Sequence, residues 1–155
     1  MTISIQTSDF DVAAELAALR TGHAEAGALV SFVGLVRDFS EAGRVENIFL
    51  EHYPGMSEKA LANIVAEANR RWQLLGVRVI HRVGELRPAE QIVLVATASA
   101  HRGDAFAACE FIMDYLKTSA PFWKKEQTAQ GGHWLGTKES DIERARRWDG
   151  QGENR

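Results

Sequence analysis

Apolar positions recur along this chain with two periods, and the switches between them mark the elements. Residues 2–6 alternate apolar and polar, which predicts a short strand. Val12, Leu16 and Leu19 then recur at helical spacing, and Gly22 supplies a left-handed cap. Residues 28–36 form a nearly continuous apolar run, read as a strand buried on both faces. That strand delivers Arg37 and Asp38 to a loop containing Gly43. Residues 45–53 read as a second strand, with Glu46, Asn47, Glu51 and His52 interleaved. Pro54-Gly55 turns the chain, and Ser57 caps a long helix over about 58–75. In that helix Leu61, Ile64, Val65, Ala68 and Trp72 form one stripe, and Gly76 stops it. Residues 77–83 alternate as a half-exposed strand with Val77, Val79, His81 and Val83 on one face. Residues 92–98, the most apolar run, predict the central strand. A third helix over 104–118 turns Ala105, Cys109, Ile112, Met113 and Leu116 inward. Residues 122–128 and Trp134-Leu135, separated by Gly131-Gly132, predict a terminal hairpin. Residues 140–155 are mixed in charge and predict a short helix that then frays.

The order β-α-β-β-α-β-β-α-β-β has no repeat, no linker and no shift of composition. It predicts one α+β domain over 1–140, three helices against a mixed or antiparallel sheet, and a polar C-terminal tail over 141–155. Composition changes this picture little: 45% apolar and 25% charged residues in 155 are ordinary for a globular domain. A net charge of −3 provides no global field for nucleic acid, so any anion site must be a local basic cluster. No apolar run approaches the roughly 20 residues of a bilayer span, and no signal peptide is evident, so the cytoplasm is the expected compartment. The single cysteine, Cys109, excludes an intrachain disulfide and reads as a small core hydrophobe. The five histidines have no helical metal-site spacing, and neither a metal nor a cofactor is expected. No glycine fingerprint for a dinucleotide or P-loop is present.

Candidate chemistry gathers at three basic places. Lys117 closes the third helix, Pro121 breaks it, and Lys124 follows the break. Two ammonium groups held at one corner repel, which lowers a pKa and invites an anion. Equally, lysines at a helix end answer the macrodipole, and Lys124-Lys125 reads as a solvated edge. His101 and Arg102 leave the central strand and open a helix, where free amides favour an anion, although His101 also suits a hydrogen bond at the helix start. Arg37 follows a buried strand but has Asp38 and Glu41 nearby as surface partners. Arg102 and Lys117 lie at opposite ends of one helix, roughly 22 Å apart. One small substrate cannot touch both within one chain: either they serve different sites, or two copies of the chain meet, and the second, a homodimer with a composite anion pocket, is the preferred reading.

Five blocks in order carry a specific resemblance. They are Phe32-Val33-Gly34-Leu35-Val36-Arg37, Leu50-Glu51-His52-Tyr53-Pro54-Gly55-Met56, Val79-Ile80-His81-Arg82-Val83-Gly84-Glu85-Leu86, Ser99-Ala100-His101-Arg102, and Met113-Asp114-Tyr115-Leu116-Lys117-Thr118 through Ala120-Pro121-Phe122-Trp123-Lys124-Lys125-Glu126. From about Ala28 to Trp148 the chain resembles the large, catalytic subunit of molybdopterin synthase. The resemblance implies an α/β hammerhead fold with a small added β subdomain. It implies a sulfurtransferase of molybdenum cofactor biosynthesis, which converts cyclic pyranopterin monophosphate (precursor Z) into molybdopterin. The two sulfurs come from the thiocarboxylated C-terminal Gly-Gly of a small ubiquitin-like partner, in a heterotetramer built on a large-subunit homodimer.

The resemblance further implies substrate-binding roles for Leu35, Val36, Arg37, His101, Arg102, Lys117, Lys124, Lys125 and Glu126, with Lys117 and Lys124 as the catalytic pair. Such chemistry needs cations, because the pterin phosphate and the sulfur-bearing tail are both anionic. Arg37, His101 and Arg102 suit the phosphate, and Lys117 suits the thiocarboxylate and the charge developing on sulfur attack. Lys117 or Lys124 with a lowered pKa suits proton transfer. A core-facing Cys109 agrees with sulfur arriving from a partner. Phe122 and Trp123 suit either a groove for the tail or the core. The chain departs from the family at Lys138, where an arginine is frequent; lysine keeps the charge without the bidentate fork, and its role stays open. Two other readings stand beside this one: a non-catalytic scaffold for a ubiquitin-like tail, and a small anion-binding regulatory domain.

Overall fold

The computed structural model describes residues 2–150. Its elements are β1 (Ile3–Gln6), α1 (Val12–Arg20), β2 (Ala28–Leu35), β3 (Phe39–Ser40), β4 (Gly43–His52), α2 (Met56–Arg71), β5 (Gly76–Arg82), β6 (Gly84–Leu86), β7 (Gln91–Ser99), α3 (Arg102–Ser119), β8 (Phe122–Thr128), β9 (Gly131–Leu135) and α4 (Glu139–Arg146). They build two sheets. The first runs β1-β5-β7-β2, with β1 parallel to β5 and the other pairs antiparallel. The second runs β3-β4-β8-β9, with β6 also paired to β4.

Helices cover both faces of the first sheet. Alternation along β5 and β7 sends Val77, Val79, Val93 and Val95 to α2 and α3, and Ile80, Leu94 and Ala96 to α1. This is why the strand over 77–83 is buried on both sides rather than half exposed. Its arginines are partnered: the partly buried Arg78 reaches Glu15 at 2.9 Å, and the buried Arg82 donates to the carbonyls of Thr7 and Gln91. β2 corrects the opposite expectation. It is an edge strand, and Phe32 and Leu35 stand 42% and 53% exposed although the run is apolar. β7 is central, as its composition implies.

The long helix is shorter than its stripe suggests. It ends at Arg71 because Trp72 turns to extended backbone and sets its indole edge-on against Phe111, 5.3 Å away. Ser57 is not its cap. Gly55 occupies that position at φ 87°, a left-handed value that favours glycine, and Glu58 accepts from its N–H at 2.5 Å. The hairpin turns at Ala129-Gln130, and Gly131 and Gly132 belong to β9. The expected three helices become four, because α4 is a full element lying on α3. It spans the boundary expected at residue 140, and Ala145 and Trp148 are buried beyond it. Residues 151–155, the end of the expected frayed tail, lie outside the described residues.

Candidate anion site at the α3–β8 corner

Pro121 determines how the corner is made. It restricts Ala120, which takes extended backbone (φ −92°, ψ 133°), so α3 stops at Ser119 and β8 begins at Phe122. The corner is tied to α2 by one buried hydroxyl. Ser57 accepts from the Tyr53 N–H at 2.9 Å and donates to the Pro121 carbonyl at 2.8 Å.

Strand alternation then sorts the residues after the break. Phe122, Lys124 and Glu126 lie opposite His52, Leu50 and Ile48, and so share the inward face of the second sheet. Glu126 is buried there. Trp123 and Lys125 take the outer face. Trp123 stands 45% exposed beside the Tyr53 ring, and the Lys125 ammonium lies 5.6 Å from the Trp134 ring centre. The aromatic pair is therefore split: Phe122 packs against both neighbouring cores and Trp123 faces solvent.

Four cations converge on this corner from four parts of the chain: Lys117 at the end of α3, Lys124 on β8, Arg37 after β2, and Lys138 at the start of α4. The pKa of Lys124 is lowered first by burial, then by the charges of Lys117, Lys138 and Arg37, with Glu126 opposing. The pKa of Lys117 is also lowered. Surrounding protein crowds its ammonium although the side chain keeps access to solvent; Lys138 and Arg37 add to the effect, and Asp141 on α4 opposes it. His81 completes the setting. Its ring stacks on Phe122 at 3.9 Å and 10°, its Nδ1 lies 2.8 Å from the Arg82 carbonyl, and burial lowers its pKa to about 4. A neutral His81 adds no charge to the cluster at neutral pH. Such a cluster can attract an anion, and ammonium groups with lowered pKa give up protons more readily than ordinary lysines.

The remaining candidates are placed differently. Val36 is a core residue, with its N–H bonded to the Glu90 carbonyl and its carbonyl to the Ala89 N–H. Leu35 projects from the end of the edge strand. His101 and Arg102 are exposed at the far end of α3. The His101 ring makes no capping bond, so the proposed role at the helix start is absent. Gly27 packs so tightly beneath this turn that a Cβ would lie 2.2 Å from the Ala100 carbonyl oxygen. Cys109 is buried, 3.6 Å from the Val95 carbonyl, and burial pushes its pKa to about 12. Among the described residues no cluster of metal-ligating side chains occurs, and no helix is long and apolar enough to cross a membrane. The residues missed from sequence are His81 and Asp141. The signal for the second was Ile142, Ala145 and Trp148 at a spacing of three, a helical stripe that carries Asp141 along.

Residues 5–119 match the family model described as MoaE protein. A molybdopterin synthase catalytic subunit from Ralstonia nicotianae is 61% identical over 147 residues, covering 95% of this chain and 84% of that one. One from Pseudomonas aeruginosa is 54% identical, covering 96% and 99%. Among solved structures, a molybdopterin biosynthesis MoaE protein from Burkholderia ambifaria superposes with a TM-score of 0.82 at 57% identity, covering 95% of this chain and 97% of that one. Molybdopterin synthase from Staphylococcus aureus superposes with a TM-score of 0.78 at 34% identity, covering 86% and 96%.

Proposed function

The chain belongs to the MoaE family, and from that premise we propose that it is the catalytic subunit of a molybdopterin synthase, a cytoplasmic sulfurtransferase. It converts precursor Z into molybdopterin with sulfur from the thiocarboxylated tail of a small ubiquitin-like partner. The observation that carries this reading is the convergence of Lys117, Lys124, Arg37 and Lys138 on one corner of a chain whose net charge is −3. Two anions must meet for sulfur to move. A fixed cluster of cations offsets their repulsion and is already in place when charge develops on the attacked pterin. Lys117 and Lys124 are the catalytic pair, because burial lowers the pKa of both ammonium groups and so makes each a better proton donor than an ordinary lysine.

His101 and Arg102 enter through a second copy. α3 has 18 residues, so its two ends are roughly 27 Å apart. In a homodimer the exposed start of one α3 supplies phosphate contacts to the lysine corner of the other. Leu35, Arg37, Lys125 and Glu126 complete the substrate contacts, with Val36 contributing through the backbone it anchors. The test is direct. The chain is incubated with thiocarboxylated partner and precursor Z, and dithiolene formation is followed. Product at catalytic turnover supports the reading; intact partner binding without product favours a tail-binding scaffold.

A further inference from the structure

The C-terminal segment meets the cation cluster at one end and is fastened at the other. Its fastening is specific. The buried Asp114 carboxylate accepts from the Trp148 indole Nε1 at 2.7 Å and from Arg147 Nη2 at 2.9 Å. Arg71 donates to the Trp148 carbonyl at 2.7 Å. The Trp148 ring stands edge-on to Trp72 and Phe111, 5.5 and 5.6 Å away. Between the two ends lies α4, only 8 residues long and with Ala145 its one buried side chain. A helix that short is not stable by itself in water. Its position depends on what grips its end.

We propose that the Asp114–Trp148 clasp is a positioning device for the anion site: by pinning the far end of α4 to α3, it keeps Lys138 near Lys117 and Lys124, and Asp141 near Lys117. Asp114 and Lys117 lie one turn apart on α3, so grip and site share a rigid support. Asp114 and Trp148 touch no reacting atom; they act through the first turn of α4. The groups facing Lys124 are Glu126 on its own strand, Lys117 on α3, Arg37 after β2 and Lys138 on the cap of α4. Those facing Lys117 are Asp141, Lys138, Arg37 and Lys124, with His81 nearby. Releasing the clasp withdraws Lys138, and Lys124 then titrates closer to an ordinary lysine.

The proposal rests on the synthase reading only for its turnover arm. The full-length chain is 13C-methylated at its lysines and Lys124 is titrated by NMR, with Lys124→Arg assigning the signal. Trp148→Phe keeps a ring and loses the donor; Asp114→Ala loses the acceptor; Asp114→Asn keeps an acceptor oxygen. In the first two the Lys124 midpoint rises and dithiolene turnover falls several-fold, whereas Asp114→Asn retains most of both. Lys138→Ala by itself raises the Lys124 midpoint, and it adds little to that midpoint on top of Trp148→Phe. A wild-type Lys124 titration in folded Trp148→Phe and Asp114→Ala, or independent additive effects with Lys138→Ala, overturns the proposal. Should Asp114→Ala not fold, Arg147→Ala, which removes one clasp bond from a half-exposed side chain, provides the same readout. The titration uses neither pterin nor partner, so its failure is distinct from a failure of the synthase reading.

Discussion

Ser57→Ala tests whether the lysine corner is held by the hydroxyl that ties it to α2. Ser57 is fully buried, and its two hydrogen bonds reach the Tyr53 N–H at 2.9 Å and the Pro121 carbonyl at 2.8 Å. Alanine removes both bonds and leaves a donor and an acceptor behind, at a cost of about 2 kcal/mol. For a chain of this size that corresponds to a fall of about 4–8 °C in Tm. The same change loosens Pro121, and a displacement on the order of 1 Å between Lys117 and Lys124 lowers turnover by up to about a hundredfold. Thermal unfolding by circular dichroism reads the first effect, and single-turnover dithiolene formation reads the second. Ser57→Cys keeps the volume and weakens both bonds, which separates hydrogen bonding from cavity formation. An unchanged melting point with wild-type turnover in Ser57→Ala would refute the tie.

Lys117→Ala is expected to lower kcat by about two to three orders of magnitude, the usual loss of a charge-stabilising donor, with the circular dichroism spectrum unchanged. In a 1:1 mixture of Arg102→Ala and Lys117→Ala chains, half the dimers are mixed and each has one intact composite site, so activity recovers to about a quarter of wild type; sites built within one chain would recover nothing. His81 predicts an acid-side loss of stability. Below pH 6.5 the unfolded chain takes up a proton that the folded chain refuses until about pH 4, so stability falls as the pH drops through that window. The fall approaches about 3 kcal/mol, measured by urea unfolding at pH 7 and pH 4.5, and His81→Phe should flatten it.

The parts that could be read from the chain are those where one local cause dominates. Pro121 ends α3 wherever the rest of the protein lies, and the apolar run of β7 belongs in the centre of any sheet. The errors arise where tertiary partners decide. The polar residues of β5 imply a wet face, yet Arg82 is buried and Arg78 partly so, because the Thr7 and Gln91 carbonyls and Glu15 meet them. The apolar residues of β2 imply burial, yet an edge strand leaves Phe32 and Leu35 outside. The site divides the same way. The Lys117–Lys124 corner follows from a proline and a strand period, whereas Lys138 reaches it only through a clasp to Asp114, and no short-range pattern records a pairing of Trp148 with a residue 34 positions earlier.

Cys109 has a practical consequence. The chain has one thiol, sealed in the core and protonated far above neutral pH. Alkylating dyes and maleimides added to a reconstituted assembly will therefore leave the folded chain unmarked. Any label that appears in such a mixture on this timescale therefore lies on a component other than this chain, which needs no cysteine-free variant for the experiment.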